Sequence, residues 1–292
     1  MLAAIDIGSN AARLLITEAV EHQGKTHFNK QNLFRIPLRL GFDVFETGSI
    51  SEEKRKMILE MMLGFKHLMQ VYNVKAIKAC ATSAMRDAKN AASIIKEIKE
   101  KTGILIEVIT GDMEANLVYE NHIAEYLNKD HAYVYIDVGG GSTEISIFAN
   151  DTLQFKHSFN IGTIRLLKEK VQNEEWESMK ESIKQACKNH KHVVAIGSGG
   201  NINKLFSMSK KKEGKPMDVE LLRDYYKELN MLSIQDRISR YGLRDDRADV
   251  IVPALEIYIN AMKWAGAEEI YVPKIGVADG LIQHLWDELH VL

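Results

Sequence analysis

The 292-residue chain reads as an α/β protein made of two related halves. Three observations support this. Short Val- and Ile-rich runs alternate with long helical patterns, the order of sheets covered by helices. An apolar strand that ends in Asp and enters a glycine loop occurs twice, as Ala3-Ala4-Ile5-Asp6-Ile7-Gly8-Ser9-Asn10 and as Val134-Tyr135-Ile136-Asp137-Val138-Gly139-Gly140-Gly141. The copies superpose at an offset of 131 residues, Asp6 onto Asp137. The length suits two domains at about 150 residues each.

Leu2 to Ile7 forms the first strand, Gly8-Ser9-Asn10 a turn, and Leu14 to Thr17 the next apolar run. Ser51 caps a helix reaching about Val71, with Glu52 and Glu53 in its first turn. Its methionines, Met57, Met61, Met62 and Met69, fall at helical spacing and belong to a core. Ala76 to Cys80 is a strand that leads through Ala81–Asp87 into a helix ending near Gly103. Ile104 to Ile109 is the next strand, and a helix capped by Asp112 runs from Gly111 to about Leu127.

The second half restarts with strands at Ala132 to Val138 and Ile145 to Phe148. A helix covers Glu174 to Lys188, and the strand Val193 to Ile196 enters Gly197-Ser198-Gly199-Gly200. Helices follow at Asp218 to Leu229, Ile234 to Tyr241 and Asp245 to Trp264, with a kink or delayed start at Pro253. Strand Glu269 to Val272 and helix Val277 to His290 complete the pattern, while Lys210-Lys211-Lys212 reads as a solvated loop.

Composition removes several classes. With 38 basic and 40 acidic side chains, a net charge of −2 gives no general attraction to nucleic acid, so a polyanion would need a local site. No apolar run reaches the roughly 20 residues that span a bilayer, and the acidic N-terminal strand is no signal peptide. Two cysteines far apart, Cys80 and Cys187, suit a reducing cytoplasm. The ten histidines form no metal constellation, and neither a Walker loop nor a serine nucleophile elbow is present.

The repeated loops carry the chemistry. Glycines and small polar residues expose backbone N–H groups to anionic oxygen, which suits Gly8, Ser9 and Asn10 and likewise Gly139, Gly140, Gly141 and Ser142. An Asp ahead of each loop repels phosphate directly but can hold Mg²⁺. A pair of plain hairpins, with Asp6 and Asp137 capping their own turns, is the alternative. Glu144 is either a second carboxylate beside Asp137 or a surface glutamate. Gly197, Ser198 and Gly199 form a third anion loop at a helix N-terminus. Arg86 sits in a helical first turn, where the dipole disfavours a cation unless an anion binds, or else pairs with a nearby acid such as Asp87. Glu114 also lies in a first turn, where dipole complementation alone would account for it.

With these loops, Arg39-Leu40-Gly41, Ala81-Thr82-Ser83-Ala84-Met85-Arg86, Gly111-Asp112-Met113-Glu114-Ala115 and Arg247-Ala248-Asp249 make nearly the whole chain resemble the exopolyphosphatase/guanosine pentaphosphate phosphohydrolase family. That family belongs to the actin-like, sugar-kinase and heat-shock ATPase superfamily. The resemblance implies two ribonuclease-H-like domains flanking an interdomain cleft, at 1–124 and 125–276, with helix 277–292 packing back on the first. In length the chain is similar to the short, two-domain members. Glu114 matches the family's catalytic base, Asp137 and Glu144 match acids beside metal and water, and Arg86 matches an anion-contacting arginine. The implied metal is Mg²⁺ or Mn²⁺ at Asp137, Glu144 and Asp6, and the implied assembly a homodimer. Two departures stand out: Ala11 replaces a serine after the first loop, and Met113 replaces an acid before the base.

The expected activity is removal of the terminal phosphate of linear inorganic polyphosphate, without nucleic acid or membrane partners. The alternatives are guanosine pentaphosphate as substrate, a superfamily kinase or ATPase, and an inactive phosphate binder.

Overall fold

A computed structural model describes residues 1–22, 25–119, 130–150 and 152–290. It divides into two compact units, Met1–Asn121 with Gly276–Leu292, and His122–Ile275. The junction expected at 124/125 lies outside the described residues, as does the stretch beyond Tyr119 of the helix expected to reach Leu127.

In the first unit, strands β1 (Leu2–Ile7), β2 (Ala12–His22), β3 (Lys25–Ile36), β4 (Ala76–Ala81) and β5 (Ile106–Val108) form a sheet in the order β3-β2-β1-β4-β5. β2 pairs antiparallel with β1 and β3, and β4 pairs parallel with β1 and β5. Every residue of β1 is buried, as a central strand covered on both faces requires. Its Leu2 and Ala4 join Leu15 and Cys80 in a core with Val277, Leu281, Ile282 and Leu285 of the C-terminal helix, Val277–His290.

Helices α1 (Leu40–Thr47), α2 (Glu52–Val71), α3 (Ser83–Asp87), α4 (Ala91–Thr102) and α5 (Gly111–Tyr119) complete the first unit. Ser51 caps α2 as expected, accepting from the Lys54 N–H at 3.3 Å, and Met61, Met62 and Met69 are buried. The helix expected to end near Gly103 is two helices, α3 and α4. The C-terminal helix crosses α5 so closely that a methyl at Gly280 would come within 1.8 Å of the Leu117 carbonyl oxygen. Gly280→Ala must therefore push two helices apart. We expect a loss of about 1–3 kcal/mol, read as a thermal midpoint several degrees lower.

The second unit repeats the plan with strands β6 (Ala132–Val138), β7 (Thr143–Ala149), β8 (Thr152–Phe159), β9 (Val193–Ser198), β10 (Met217–Asp218) and β11 (Glu269–Tyr271), in the order β10-β11-β9-β6-β7-β8. The duplication extends to an irregularity. The β2–β3 ladder slips at Ile16/Thr17 and the β7–β8 ladder at Ile147/Phe148, again 131 residues on. Helices α6 (Thr163–Leu167), α7 (Asn173–Cys187), α8 (Gly200–Ser209), α9 (Val219–Met231), α10 (Ile234–Tyr241), α11 (Asp245–Ala248) and α12 (Ile251–Ala265) follow. α12 is the hub of this core, packing on α7, α9 and β6. Pro253 takes the delayed start: the helix expected from Asp245 breaks after Ala248, and Pro253 sits in the first turn of α12, where no N–H is needed. Lys211, in the loop after α8, pairs with Asp218 at 2.7 Å. Among the described residues, no helix is long and apolar enough to cross a membrane.

Candidate functional site

Each glycine loop is shaped by one internal bond and by the helix that follows it. In the second unit the Gly139 N–H donates to the Ser142 carbonyl at 2.9 Å. The loop carbonyls then turn to the start of α6. Gly139 O accepts from Thr163 N–H at 3.0 Å, Gly140 O from Ile164 N–H at 2.8 Å, and Gly141 O from the Arg165 side chain at 2.8 Å. These backbone contacts, with a third from Arg165 N–H to Gly140 O at 3.2 Å, satisfy donors that a helix N-terminus leaves over. They also commit the carbonyl side of the loop to α6. Gly162, ahead of α6, permits the approach, since a methyl there would lie 2.4 Å from the Gly141 carbonyl carbon.

The first unit has the same construction. Gly8 N–H donates to Ala11 O at 3.1 Å, and Ser9 O and Asn10 O accept from Gly41 N–H and Arg39 N–H, both at 2.9 Å, where α1 begins. Ser9 Oγ lies 2.7 Å from Ser83 Oγ and accepts from the Ala84 N–H at 3.2 Å, tying the loop to α3. Gly8 and Gly139, expected as phosphate donors, thus spend their own N–H groups inside the loops. They set the shape of the loop and do not donate to a ligand.

The two copies differ in charge. Asp6 faces Arg13 across β1 and β2, with Arg13 Nη1 at 2.7 Å from its Oδ2. At the matching position of the second unit, Asp137 faces Glu144. Glu144 is 3% exposed, and its Oε1 accepts from Ser142 Oγ and Ser158 Oγ, each at 2.7 Å. Glu144 is therefore no surface glutamate. Among the described residues no cluster of three or more His, Cys, Asp or Glu side chains is arranged to hold a metal. The expected trio of ligands is accordingly revised: Asp6 already has a guanidinium neutralising it. The Asp137–Glu144 pair does fit a hard divalent cation. Two adjacent carboxylates favour such a charge, and Mg²⁺ takes only one or two protein carboxylates beside water and phosphate.

Glu114 is 8% exposed on α5. Thr110, not Asp112, caps this helix: its Oγ1 accepts from the Met113 N–H at 3.2 Å, and its carbonyl from the Glu114 N–H at 3.0 Å. Cys80, which pairs with Asp6 in register, locates both acids. Burial first, then the charges of Asp6 and Glu114, hold its thiol well above the ordinary range, so Cys80 is an inert neighbour. Arg86 is the fourth residue of the five-residue α3, whose single turn is at once its opening and its closing one. The five-residue helix ends just past it, and Arg86 Nη1 donates to Ile109 O at 2.8 Å, bracing the link into α5.

Gly197 and Ser198 end β9, with Gly197 packed under Ile270 and Ile202, and Gly199 precedes α8 at φ 107°. Ser198 Oγ is buried with no hydrogen-bond partner among the described residues. Sequence reasoning missed Arg13, Gly162 and Arg165. Applying the 131-residue offset to Glu144 would have found Arg13. The other two act through contacts about 20 residues distant and leave no local pattern.

The pattern of the Ppx/GppA phosphatase family matches residues 25–289. A bifunctional 3-dehydroquinate synthase/phosphatase of Fusobacterium nucleatum is 29% identical over 92% of this chain and 44% of its own length. Exopolyphosphatase 2 of Mycobacterium tuberculosis is 29% identical over 56% of this chain and 53% of its own. The chain thus spans about half the length of these curated relatives. Among solved structures, the Aquifex aeolicus Ppx/GppA family member is 25% identical with a TM-score of 0.75, covering 99% of this chain and 98% of that one. A Cytophaga hutchinsonii exopolyphosphatase has a TM-score of 0.85 at 24% identity, with 98% of both chains covered, a likeness of fold. Both units therefore have the actin-like ATPase fold expected from the motifs.

Proposed function

The chain belongs to the Ppx/GppA phosphatase family, and on that footing we propose that it is a phosphoanhydride hydrolase that releases orthophosphate from the end of linear inorganic polyphosphate. The observation that supports this reading is the duplicated loop, whose carbonyls are tied into a later helix, an arrangement that suits amides turned to anionic oxygen. Water attacks the terminal phosphorus, Glu114 accepts its proton, and the bridging P–O bond breaks so that the shortened chain leaves with the bridging oxygen. In the second unit the amides of Gly140, Gly141 and Ser142 are the phosphate donors of this reading, and in the first unit those of Ser9 and Asn10, with Arg86 as a positive charge. Mg²⁺ or Mn²⁺ held by Asp137, with Glu144 beside it, would neutralise charge on the phosphate chain.

Orthophosphate release from long-chain polyphosphate, guanosine pentaphosphate and ATP, with and without Mg²⁺, tests the reading. Metal-dependent release from polyphosphate is expected to exceed the others. Release from guanosine pentaphosphate alone would replace the substrate, and ADP formation that requires an acceptor would replace the reaction. Arg86→Ala should raise KM about tenfold or more, the worth of a hydrogen bond to a charged group. The rise should be larger at low salt, where charge is least screened. It should also lower kcat, because the Ile109 carbonyl loses its brace before α5. Initial rates at two salt concentrations check both effects.

A further inference from the structure

Among the described residues, the largest fully buried side chain ends in a hydroxyl, and that hydroxyl lies against the candidate phosphate and metal residues. Tyr258, on α12, is 0% exposed. Its hydroxyl donates to the Ser198 carbonyl and shares a hydrogen bond with the Val138 backbone. A methyl built on Gly199 would lie 3.7 Å from this hydroxyl, 3.1 Å from Asp137 Oδ1 and 3.2 Å from the Val138 carbonyl oxygen. One phenol therefore touches the ends of the two strands that lead into the second unit's loops, β6 at Val138 and β9 at Ser198. The buried hydroxyl is satisfied by the Ser198 carbonyl, so the ring is held by a directional bond at its polar end as well as by packing.

We propose that Tyr258 is a positioning residue: its hydroxyl clamps the Ser198–Gly199 peptide to the end of β6, and so fixes the Asp137 carboxylate and the amides after it. The role rests on the reading of Asp137 as a metal ligand given above. Partners of this kind, which orient a ligand without touching the metal, typically contribute 10- to 100-fold in metal affinity or activity.

The test compares the unaltered protein, Tyr258→Phe and Leu255→Ala, a core change one turn away on α12 that leaves the hydroxyl in place. Mn²⁺ affinity is measured by electron paramagnetic resonance, with thermal unfolding and orthophosphate release on the same samples. Phe keeps the ring volume, so the fold should persist. We expect Tyr258→Phe to weaken Mn²⁺ binding about 10-fold and to raise the Mg²⁺ needed for half-maximal activity. Leu255→Ala should lower the unfolding midpoint at parental Mn²⁺ affinity. Equal Mn²⁺ affinity in Tyr258→Phe and parent, an equal loss in Leu255→Ala, or no Mn²⁺ binding by the parent overturns the role. A parent that binds Mn²⁺, loses affinity in Tyr258→Phe and yet releases no orthophosphate overturns the hydrolase reading while keeping Tyr258 as a positioning residue.

Discussion

Glu114→Gln should lower the rate of orthophosphate release by about 10²- to 10⁴-fold while leaving affinity for the phosphate chain close to parental. The amide keeps the shape of the carboxyl but cannot take a proton from water. The structural cost is small. Loss of an acid from the start of α5 removes a dipole interaction of about 0.3–1 kcal/mol, and a buried charge is removed with it. Thermal unfolding should therefore move by a few degrees at most. Asp112→Asn supplies the contrast, since Asp112 is an exposed acid in the same turn. It should lose the same dipole interaction and keep the parental rate. A Glu114→Gln protein that turns over normally would remove this residue from the chemistry and return it to the simpler role of complementing its helix.

Gly162→Ala should cost about 100-fold or more in affinity for a phosphate chain. The added methyl would fall 2.4 Å from Gly141 C and 2.5 Å from Gly140 C and O, all backbone atoms that cannot rotate away. Relief requires α6 to withdraw, and withdrawal breaks the bonds from Thr163 and Ile164 that hold the loop carbonyls. The loop then no longer presents its amides in a fixed array. Loss of two amide bonds to an anion, at about 1.5–3 kcal/mol each, gives that factor. Overpacking adds a stability loss of about 1–3 kcal/mol. Measuring affinity calorimetrically in the Glu114→Gln background separates binding from turnover. A folded Gly162→Ala protein with parental affinity would contradict the role given to the loop.

Much of this architecture is written locally. β1 and β6 are apolar runs broken only by Asp6 and Asp137 near their ends, as strands covered on both faces favour, and the two Asp-glycine loops repeat nearly residue for residue. β3 and β8 went unrecognised for the converse reason. They lie at sheet edges, largely half-buried or exposed, and their Lys, His, Gln and Thr residues show little apolar alternation. Cap positions were harder to read: Thr110 and Asp112 are both competent caps, and only the helix start at Gly111 decides for Thr110. The acidic and basic versions of one cross-strand position, Glu144 opposite Asp137 and Arg13 opposite Asp6, were legible once register was known. The bracing of each loop by a later helix was not. It depends on where α1 and α6 return in space, which no spacing in the chain encodes.

Hydrolysis of polyphosphate in water enriched in oxygen-18 tests the central claim most directly. If solvent water attacks the terminal phosphorus, each released orthophosphate should carry one labelled oxygen and the new end of the remaining chain none. Label appearing at the new end of the remaining chain, or unlabelled orthophosphate at full turnover, would contradict the account.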